Sequence, residues 1–380
     1  MAQPCTFGIE EEYLLADTAS GQVLASPAPA VTRRCREVLG ATLAEEMFLS
    51  QIEVVSPVFD SLGQARSFLG ESRQRLGEAL GDFGVGLYGA ASHPTAQWLR
   101  QHPRGTAHFR QLFDDYQLVA RRSLLNGLHV HVGVPAGTDR MQLINRVLYW
   151  LPLFLVLSTS SPLWGGQDTG YMSYRRVICG EWPYMGLPEP LADWNAYQRY
   201  RALLQRTGAL AEDGDFWWAI RPSRRFPTVE LRICDGCPRL EEGLAIAGLF
   251  RHLVQHALAR HDGMAVSQEL RWITQENYWR AARYGRRGRF IGAVDQQPVS
   301  AEGWLAQLQS WLPADSADAE RSFMQARRIL CDGTSADRQR EAYALGRENG
   351  LAGSEALRAV AWQVMDEHFP GARLPQGEIE

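Results

Sequence analysis

The chain has 380 residues, of which 45% are hydrophobic and 22% are charged, and its formal net charge at neutral pH is −4. This composition is typical of a globular protein with a large core, and it argues against a nucleic-acid-binding surface or a polybasic membrane patch. All 39 Lys and Arg positions are arginine, which excludes chemistry that needs a P-loop lysine or a lysine Schiff base. The first residues lack the basic and apolar pattern of a signal peptide, so we expect a cytoplasmic protein.

Periodicity along the chain predicts both strands and helices. Alternating apolar residues predict strands near 5–15, 50–56, 84–91, 127–134, 215–221 and 227–234. Helical patterns lie near 63–82, 108–124, 139–158, 194–207, 239–261, 265–284, 302–311, 318–331, 335–348 and 354–367. Because strands and helices do not alternate regularly, we expect an α+β fold with a mainly antiparallel sheet. A single domain over 1–380 would combine a strand-rich sheet core at about 5–235 with a largely helical part at 239–368.

Three motifs invite a functional interpretation that their context does not support. "GVGLYG" at 84–89 matches a dinucleotide fingerprint but follows a predicted helix and continues as a strand. "CDGC" at 234–237 has no second cysteine pair for a zinc ribbon, and it follows a strand instead of opening a helix. The apolar run from Val147 to Leu157 is too short to span a bilayer and contains Pro152, so we predict a buried helix.

Two predicted strands carry carboxylates at unusual places. In "GIEEEYLL", strand alternation would point Glu10 and Glu12 to one face and Glu11 to the other. In "SQIEVVSP", Glu53 lies between apolar residues, where a carboxylate is costly to bury unless it is paired or binds a metal. A solvated strand end is the alternative explanation for the first motif.

Two later strands repeat this pattern. In "GLHVHVGV", His129 and His131 share one face, and in "TVELRICD" Glu230, Arg232 and Cys234 share one face. Core histidines and a structural Glu–Arg ion pair are the alternatives. The recurrence on four strands favours a common polar face of one sheet.

Such a face would collect four carboxylates, which cannot all stay ionised without cations. Carboxylate-rich ligand sets favour Mg²⁺ or Mn²⁺ over structural zinc. Together with the arginines and the missing lysine, they suggest phosphoryl transfer from ATP without a P-loop.

The motifs also resemble those of a known family. In chain order these are "GIEEEYLL", "SQIEVVSP", "GLHVHVGV", "SSPLWGGQDTGYMSYR", "WWAIRPSRRFPTVELRICD" and "ENYWRAARYG", and the similarity extends to "GTSADRQR" at 333–340. The set is similar to the bacterial carboxylate–amine ligase branch of the glutamate–cysteine ligase superfamily. The resemblance implies a glutamine-synthetase-like fold, in which a curved antiparallel sheet holds the active site on its concave face.

The resemblance also implies an activity and a set of site residues. The activity is ATP-dependent formation of a γ-glutamyl amide through an acyl phosphate, with glutamate and cysteine as the reference substrates. The implied metal ligands are Glu10, Glu12, Glu53, His129 and Glu230. Arg232 would contact the transferring phosphoryl group, Glu53 would also count as catalytic, and His131 is a weaker candidate for substrate binding.

Three further arginines are candidates for binding substrate carboxylate or ATP phosphate: Arg175 and Arg221 in the matched motifs, and Arg280 on the predicted helix of "QENYWRAARYG". We assign Arg175 to the substrate and Arg221 and Arg280 to the nucleotide. For each of them a structural ion pair or surface position is the alternative.

Two other functions fit part of the pattern. A guanidino phosphotransferase of the same fold would need no amine co-substrate, and a metal-dependent hydrolase would need no ATP. We expect small-molecule substrates, no nucleic-acid partner and no membrane partner, and the sequence is compatible with a homodimer.

Overall fold

A seven-stranded antiparallel sheet organises the fold. The computed structural model describes residues 5–212, 214–260 and 267–370. The strands are β1 (Phe7–Asp17), β2 (Leu43–Glu45), β3 (Gln51–Val55), β4 (Val85–Tyr88), β5 (Gly127–Gly133), β6 (Leu163–Trp164), β7 (Gln167–Asp168), β8 (Ile220–Pro222), β9 (Thr228–Asp235), β10 (Arg289–Ile291) and β11 (Pro298–Ser300). The main sheet has the order β2-β3-β1-β5-β9-β8, with β4 also paired to β1, while β6–β7 and β10–β11 form separate two-stranded sheets. The predicted α+β class with an antiparallel sheet is confirmed.

Helices flank this sheet and dominate the second half of the chain. They are α1 (Pro29–Leu39), α2 (Leu62–Gly81), α3 (Ala107–Arg122), α4 (Arg140–Val147), α5 (Leu151–Ser158), α6 (Arg175–Cys179), α7 (Trp194–Arg206), α8 (Leu240–Ala259), α9 (Gln268–Tyr284), α10 (Ala301–Trp311), α11 (Ala317–Asp332), α12 (Ser335–Glu348) and α13 (Gly353–His368). The predicted helix ends at 261 and at 265–266 lie outside the described residues. The sequence prediction missed α1, which begins at a proline in a proline-rich stretch, and α6, which has only five residues.

The apolar run predicted as a buried helix lies in the core. The helix predicted at 139–158 is divided by a 3₁₀ turn at Leu148–Trp150, and α5 restarts with Pro152 in its first turn, where proline is tolerated. Every residue of α5 is buried. The stretch Arg140–Ser158 is long and apolar enough to cross a membrane, but 83% of its most apolar window is buried inside the protein. It therefore packs as a core helix.

Strand β1 runs through the middle of the sheet. It pairs with β3 on one edge, and with β5 and then β4 on the other. The odd-numbered residues from Phe7 to Leu15, apart from Glu11, belong to the main hydrophobic core. Glu10 and Glu12 point to the opposite face, as the alternation predicts.

A β-bulge in β9 changes the face of the strand's last residues. Leu128 of β5 pairs with Cys234, but Val130, two residues on, pairs with Leu231, so β9 has one extra residue between these pairs. The predicted common face of Glu230, Arg232 and Cys234 is therefore wrong for Cys234, which is fully buried in the main core. Asp235 takes the position after the bulge.

Neither "CDGC" nor "GVGLYG" forms a functional site in the structure. Burial raises the pKa of both the Cys234 thiol and the Cys237 thiol, as expected for inert core cysteines. Within the described residues the clusters that could hold a metal do not include either cysteine. "GVGLYG" contributes β4, a strand beside β1, and does not open a helix.

Behind the polar face, Glu11 forms a buried ion pair. Arg73 of α2 donates to both carboxylate oxygens of Glu11, at 2.5 and 3.2 Å, and Tyr13 also donates to this carboxylate. Both charged side chains are 5% exposed. The pair joins the back of β1 to α2, which gives Glu11 a structural role on the face opposite Glu10 and Glu12.

The Arg73→Met variant should be destabilised by about 3–5 kcal/mol, because it leaves a carboxylate buried without its cation. Urea unfolding followed by circular dichroism measures this change. Arg66→Met is the matched control, since Arg66 lies on the same helix in an exposed ion pair with Glu241 whose loss should change stability by less than about 1 kcal/mol. Equal effects of the two substitutions would contradict a structural role for the Glu11 pair.

Candidate active site

Strand register brings the predicted site residues onto one face of the sheet. Glu10 is directly opposite His129, Glu12 is opposite Glu53, and His131 is opposite Glu230. These pairs lie on four neighbouring strands, β3, β1, β5 and β9. The four motifs thus form one cluster, as the sequence pattern predicts.

His129 lies at the centre of this cluster. Its Nδ1 lies 3.1 Å from Oε2 of Glu10 and 4.0 Å from Oε1 of Glu53, and its Nε2 lies 3.7 Å from Oε1 of Glu12. Glu12 also accepts a 2.6 Å hydrogen bond from the backbone N–H of Gly127. The imidazole therefore lies within 4.0 Å of three carboxylates.

His131 joins the other end of the cluster. Its Nε2 lies 3.2 Å from Oε1 of Glu10 and 3.8 Å from Oε2 of Glu230, and its Nδ1 lies 3.0 Å from the hydroxyl of Thr228. The exposed ring of Phe226 meets the imidazole edge to face, with 6.1 Å between centroids. His131 therefore lies where the polar face meets the β8–β9 turn.

Two arginines hold Glu230. Arg221 donates to its two oxygens at 2.7 and 3.1 Å, and Arg232 donates to Oε1. The Nη1 of Arg232 also lies 3.4 Å from Nδ1 of His129. Arg221 bonds the carbonyl of Phe216 as well, so in this structure it supports Glu230, while its predicted role in nucleotide binding stays a prediction.

The cluster includes a carboxylate that the sequence analysis missed. Burial and the charge of Glu12 raise the pKa of Glu46 to about 8. Burial and the charges of Glu10, Glu46 and Glu12 raise the pKa of Glu53 well above its usual value. Glu46 directly follows β2 and lies outside any strand, so no strand periodicity marks its direction. Its position seven residues before Glu53 in an acidic pair was the available hint.

Other carboxylates of the cluster ionise easily. Burial alone would raise the pKa of Glu10, but hydrogen bonds to His129 and His131 outweigh it and hold the pKa far below its usual value. Burial also acts on Glu230, and the charges of Arg232 and Arg221 overcome it, so the pKa falls to about 2. Burial and Arg232 together lower the pKa of His129. A neutral imidazole and ionised carboxylates are the protonation states that a metal needs.

The donor set fits a divalent cation. Two groups have ligand atoms within 4.8 Å of one another, namely Glu10, His129 and Glu230, and Glu12, Glu53 and His129. The Nε2 atom of His129 is buried and has no hydrogen-bond partner. A buried nitrogen without a protein partner is available to bind an ion. Carboxylates in this number suit Mg²⁺ or Mn²⁺.

Arg175 borders the cluster. A Cβ placed on Gly127 would lie 2.5 Å from Nη2 of Arg175 and 3.0 Å from Nε2 of His129. The guanidinium thus lies above the backbone of β5 next to the central histidine, and only a glycine leaves room for it. The structure therefore places Arg175, which is predicted to bind the substrate, at the edge of the site.

Arg280 has other partners. It pairs with Glu276 at 2.7 Å, one turn earlier on α9, and donates to the carbonyl of Arg289. The predicted helix is confirmed, and the structure shows the ion pair that was the alternative for Arg280. Nucleotide binding by Arg280 stays a prediction.

Metal affinity should rise with pH. The pKa of Glu46 is raised to about 8, and that of Glu53 is raised well above its usual value. The metal-free protein therefore binds protons more readily at these carboxylates, and metal binding should release them. Raising the pH through 8 removes this competition and tightens Mg²⁺ binding. Calorimetric titration with MgCl₂ at pH 7, in buffers of different ionisation enthalpy, should show proton release that falls in the Glu46→Gln variant. Binding that is independent of pH, without proton release, would contradict the assignment.

Comparison with known proteins agrees with this geometry. The model of the glutamate–cysteine ligase family 2 matches residues 6–361. A protein of Pseudomonas entomophila, named provisionally as glutamate–cysteine ligase 2, is 93% identical over the full length of both chains. A Pseudomonas putida protein with the same provisional name is 67% identical, covering 95% of this chain and 98% of its own.

Solved structures show the same fold at low identity. The glutamate–cysteine ligase of Francisella tularensis, in complex with AMP, has a TM-score of 0.67 at 14% identity and covers 97% of this chain and 89% of its own. A bifunctional glutathione synthetase of Pasteurella multocida has a TM-score of 0.70 at 15% identity, covering 97% of this chain and 53% of its own.

An antiparallel sheet flanked by helices, with a carboxylate-lined face, is the architecture of the described residues, and the two solved structures share this fold. The family match covers most of the described chain and every strand of that site. The chain belongs to the glutamate–cysteine ligase family 2.

Proposed function

We propose that this chain is an ATP-dependent carboxylate–amine ligase that forms a γ-glutamyl amide from glutamate, or a similar carboxylate, and an amine such as cysteine. Family membership supports ATP-dependent ligation. The observation that carries the proposal for this site is the pair of ligand groups that share His129, with Arg232 on the same face. We also propose a single cytoplasmic catalytic domain that acts on small molecules. A homodimer stays a prediction.

The first half-reaction activates the carboxylate. A γ-carboxylate oxygen attacks the γ-phosphorus of ATP, the bond to the bridging oxygen breaks, and ADP leaves as the acyl phosphate forms. Arg232 donates to the transferring phosphoryl oxygens. Glu230 orients Arg232 by accepting from its guanidinium, and Arg221 holds Glu230 from the other side.

The second half-reaction forms the amide. The lone pair of a neutral amine attacks the acyl carbon, the tetrahedral species collapses, and inorganic phosphate leaves with the former carboxylate oxygen. The amine gives up a proton to a base. Arg175 binds a carboxylate of the amino-acid substrate and so aligns the acyl carbon with the amine.

The residues that would hold the metal are Glu10, Glu12, Glu53, His129 and Glu230, and we add Glu46 as a neighbouring carboxylate. When bound there, Mg²⁺ or Mn²⁺ would neutralise the charge of the phosphates and orient them. His129 would offer a ring nitrogen to the ion, and the charges of Arg232 and Arg221 lower the pKa of Glu230 to about 2, so this carboxylate is ionised at neutral pH.

ADP release tests this function. The protein is incubated with ATP and Mg²⁺, with or without glutamate, across a panel of amines led by cysteine. Release that requires both glutamate and an amine is the expected result. ADP release without an amine, together with phosphorylation of a guanidino compound, would support the phosphotransferase. Product formation without ATP would support the hydrolase.

A further inference from the structure

Asp235 is a fully buried carboxylate beside the active site that the mechanism above does not use. It follows the β-bulge at the end of β9. Its Oδ2 accepts hydrogen bonds from the backbone N–H of Ser160, at 3.0 Å, and the hydroxyl of Ser161, at 2.8 Å. Its Oδ1 accepts from the hydroxyl of Ser173, at 2.8 Å. Both oxygens thus accept, which favours the ionised carboxylate. Burial raises the pKa of Asp235, and the charge of Arg175 and these hydrogen bonds oppose that rise.

These bonds join Asp235 to the segment that carries Arg175. The hydroxyl of Ser161 accepts from the backbone N–H of Arg175, at 3.1 Å, and Ser161 and Ser173 also form a parallel β-bridge. The guanidinium of Arg175 has its Nη1 4.0 Å from Oδ1 of Asp235. Its side chain is 8% exposed, so this buried cation has Asp235 as an acidic neighbour.

The carboxylates of the metal cluster compete with Asp235 for the guanidinium of Arg175. Its Nη2 lies 2.5 Å, and the Nε2 of His129 lies 3.0 Å, from the point that a Cβ on Gly127 would occupy, and the N–H of Gly127 donates to Glu12. Its bond to the protein through Nη1, to the carbonyl of Ile233, is long at 3.5 Å. Without a charge behind it, the guanidinium would be drawn towards the carboxylates of the metal cluster.

We propose that Asp235 is a positioning residue, whose charge holds the Arg175 guanidinium back from the acidic cluster so that it can receive the substrate carboxylate. This inference rests on the proposed role of Arg175. It explains why a carboxylate follows the bulge: the extra residue in β9 turns Asp235 towards the 160–161 and 173–175 segments.

The Asp235→Asn variant separates charge from hydrogen bonding. The amide oxygen of asparagine can accept from Ser160 and Ser161, and its NH₂ group can meet the hydroxyl of Ser173 once that hydroxyl rotates to accept. The network and the volume are kept, while the negative charge next to Arg175 is lost. The matched control is Thr159→Ala, a fully buried neighbour that bonds Thr334 and not Asp235.

In steady-state ligase assays we expect Asp235→Asn to raise the KM for glutamate about tenfold, as losses of supporting residues commonly do. The kcat, the KM for ATP and the melting temperature should stay close to wild type. Arg175→Met should raise the same KM by at least as much, and the double variant should show no further rise beyond Arg175→Met. Thr159→Ala should leave the KM for glutamate unchanged.

Two results would overturn the proposal. One is an unchanged KM for glutamate in Asp235→Asn while Arg175→Met raises it. The other is a similar effect of Asp235→Asn and Thr159→Ala, in which kcat and the melting temperature fall and the KM rises. That result would mark a purely structural role. An Arg175→Met variant with unchanged KM values would instead refute the substrate role of Arg175 in the proposed function.

Discussion

Arg232→Met should lower kcat by about 10³-fold or more, the scale of losing an arginine that stabilises a transferring phosphoryl group. Arg232 is the arginine that shares the polar face with both Glu230 and His129. Methionine keeps much of the side-chain volume but donates no hydrogen bond. Single-turnover ADP formation at saturating ATP and Mg²⁺ measures the chemical step directly.

The fold should survive this change, because Glu230 keeps its bidentate partner Arg221. Circular dichroism and the melting temperature check this point. The control is Arg321→Met, which removes an exposed ion pair with Asp318 on α11 and should leave kcat at the wild-type value. If the Arg232→Met enzyme keeps more than a tenth of the wild-type kcat, Arg232 does not act in the phosphoryl-transfer step.

Glu53→Gln should lower kcat by at least about 10²-fold, as expected for the loss of one preorganised charge in the site. Glu53 belongs to the ligand group with Glu12 and His129. The amide keeps the shape of the side chain and cannot ionise when metal binds. In the metal-free protein, burial and the charges of its acidic neighbours raise the pKa of Glu53, so the change removes a charge that is unfavourable there and the melting temperature should not fall.

Steady-state turnover over a range of Mg²⁺ concentrations checks this prediction. Glu37→Gln is the matched control, because Glu37 lies on α1 in an exposed ion pair with Arg34. That variant should turn over near the wild-type rate. Near-normal kcat in Glu53→Gln would place Glu53 outside the catalytic site.

Strand alternation explains why much of the site was predictable. Once the motifs are strands, the two-residue period sends Glu10 with Glu12, and His129 with His131, to a single face. Their apolar neighbours need the other face for the core, so a shift by one residue would bury the whole polar set. The family resemblance then supplied roles for these positions, which alternation alone cannot give.

Other features depend on tertiary contacts that no local pattern encodes. Cys234 leaves the polar face because of a bulge, which depends on the pairing between β5 and β9. Glu46 joins the cluster from outside any strand, where side-chain direction has no period. Arg221 meets Glu230 because of the β8–β9 register, and Asp235 gains its serine partners from segments more than sixty residues away.

The transfer of oxygen from substrate to phosphate tests the central claim most directly. Glutamate labelled with ¹⁸O in its γ-carboxylate is turned over with ATP, Mg²⁺ and the best amine of the panel, and the inorganic phosphate is analysed by mass spectrometry. An acyl-phosphate ligase places one labelled oxygen in each phosphate released. Amide and ADP formation with unlabelled phosphate would contradict the account, because the carboxylate would then never have been phosphorylated.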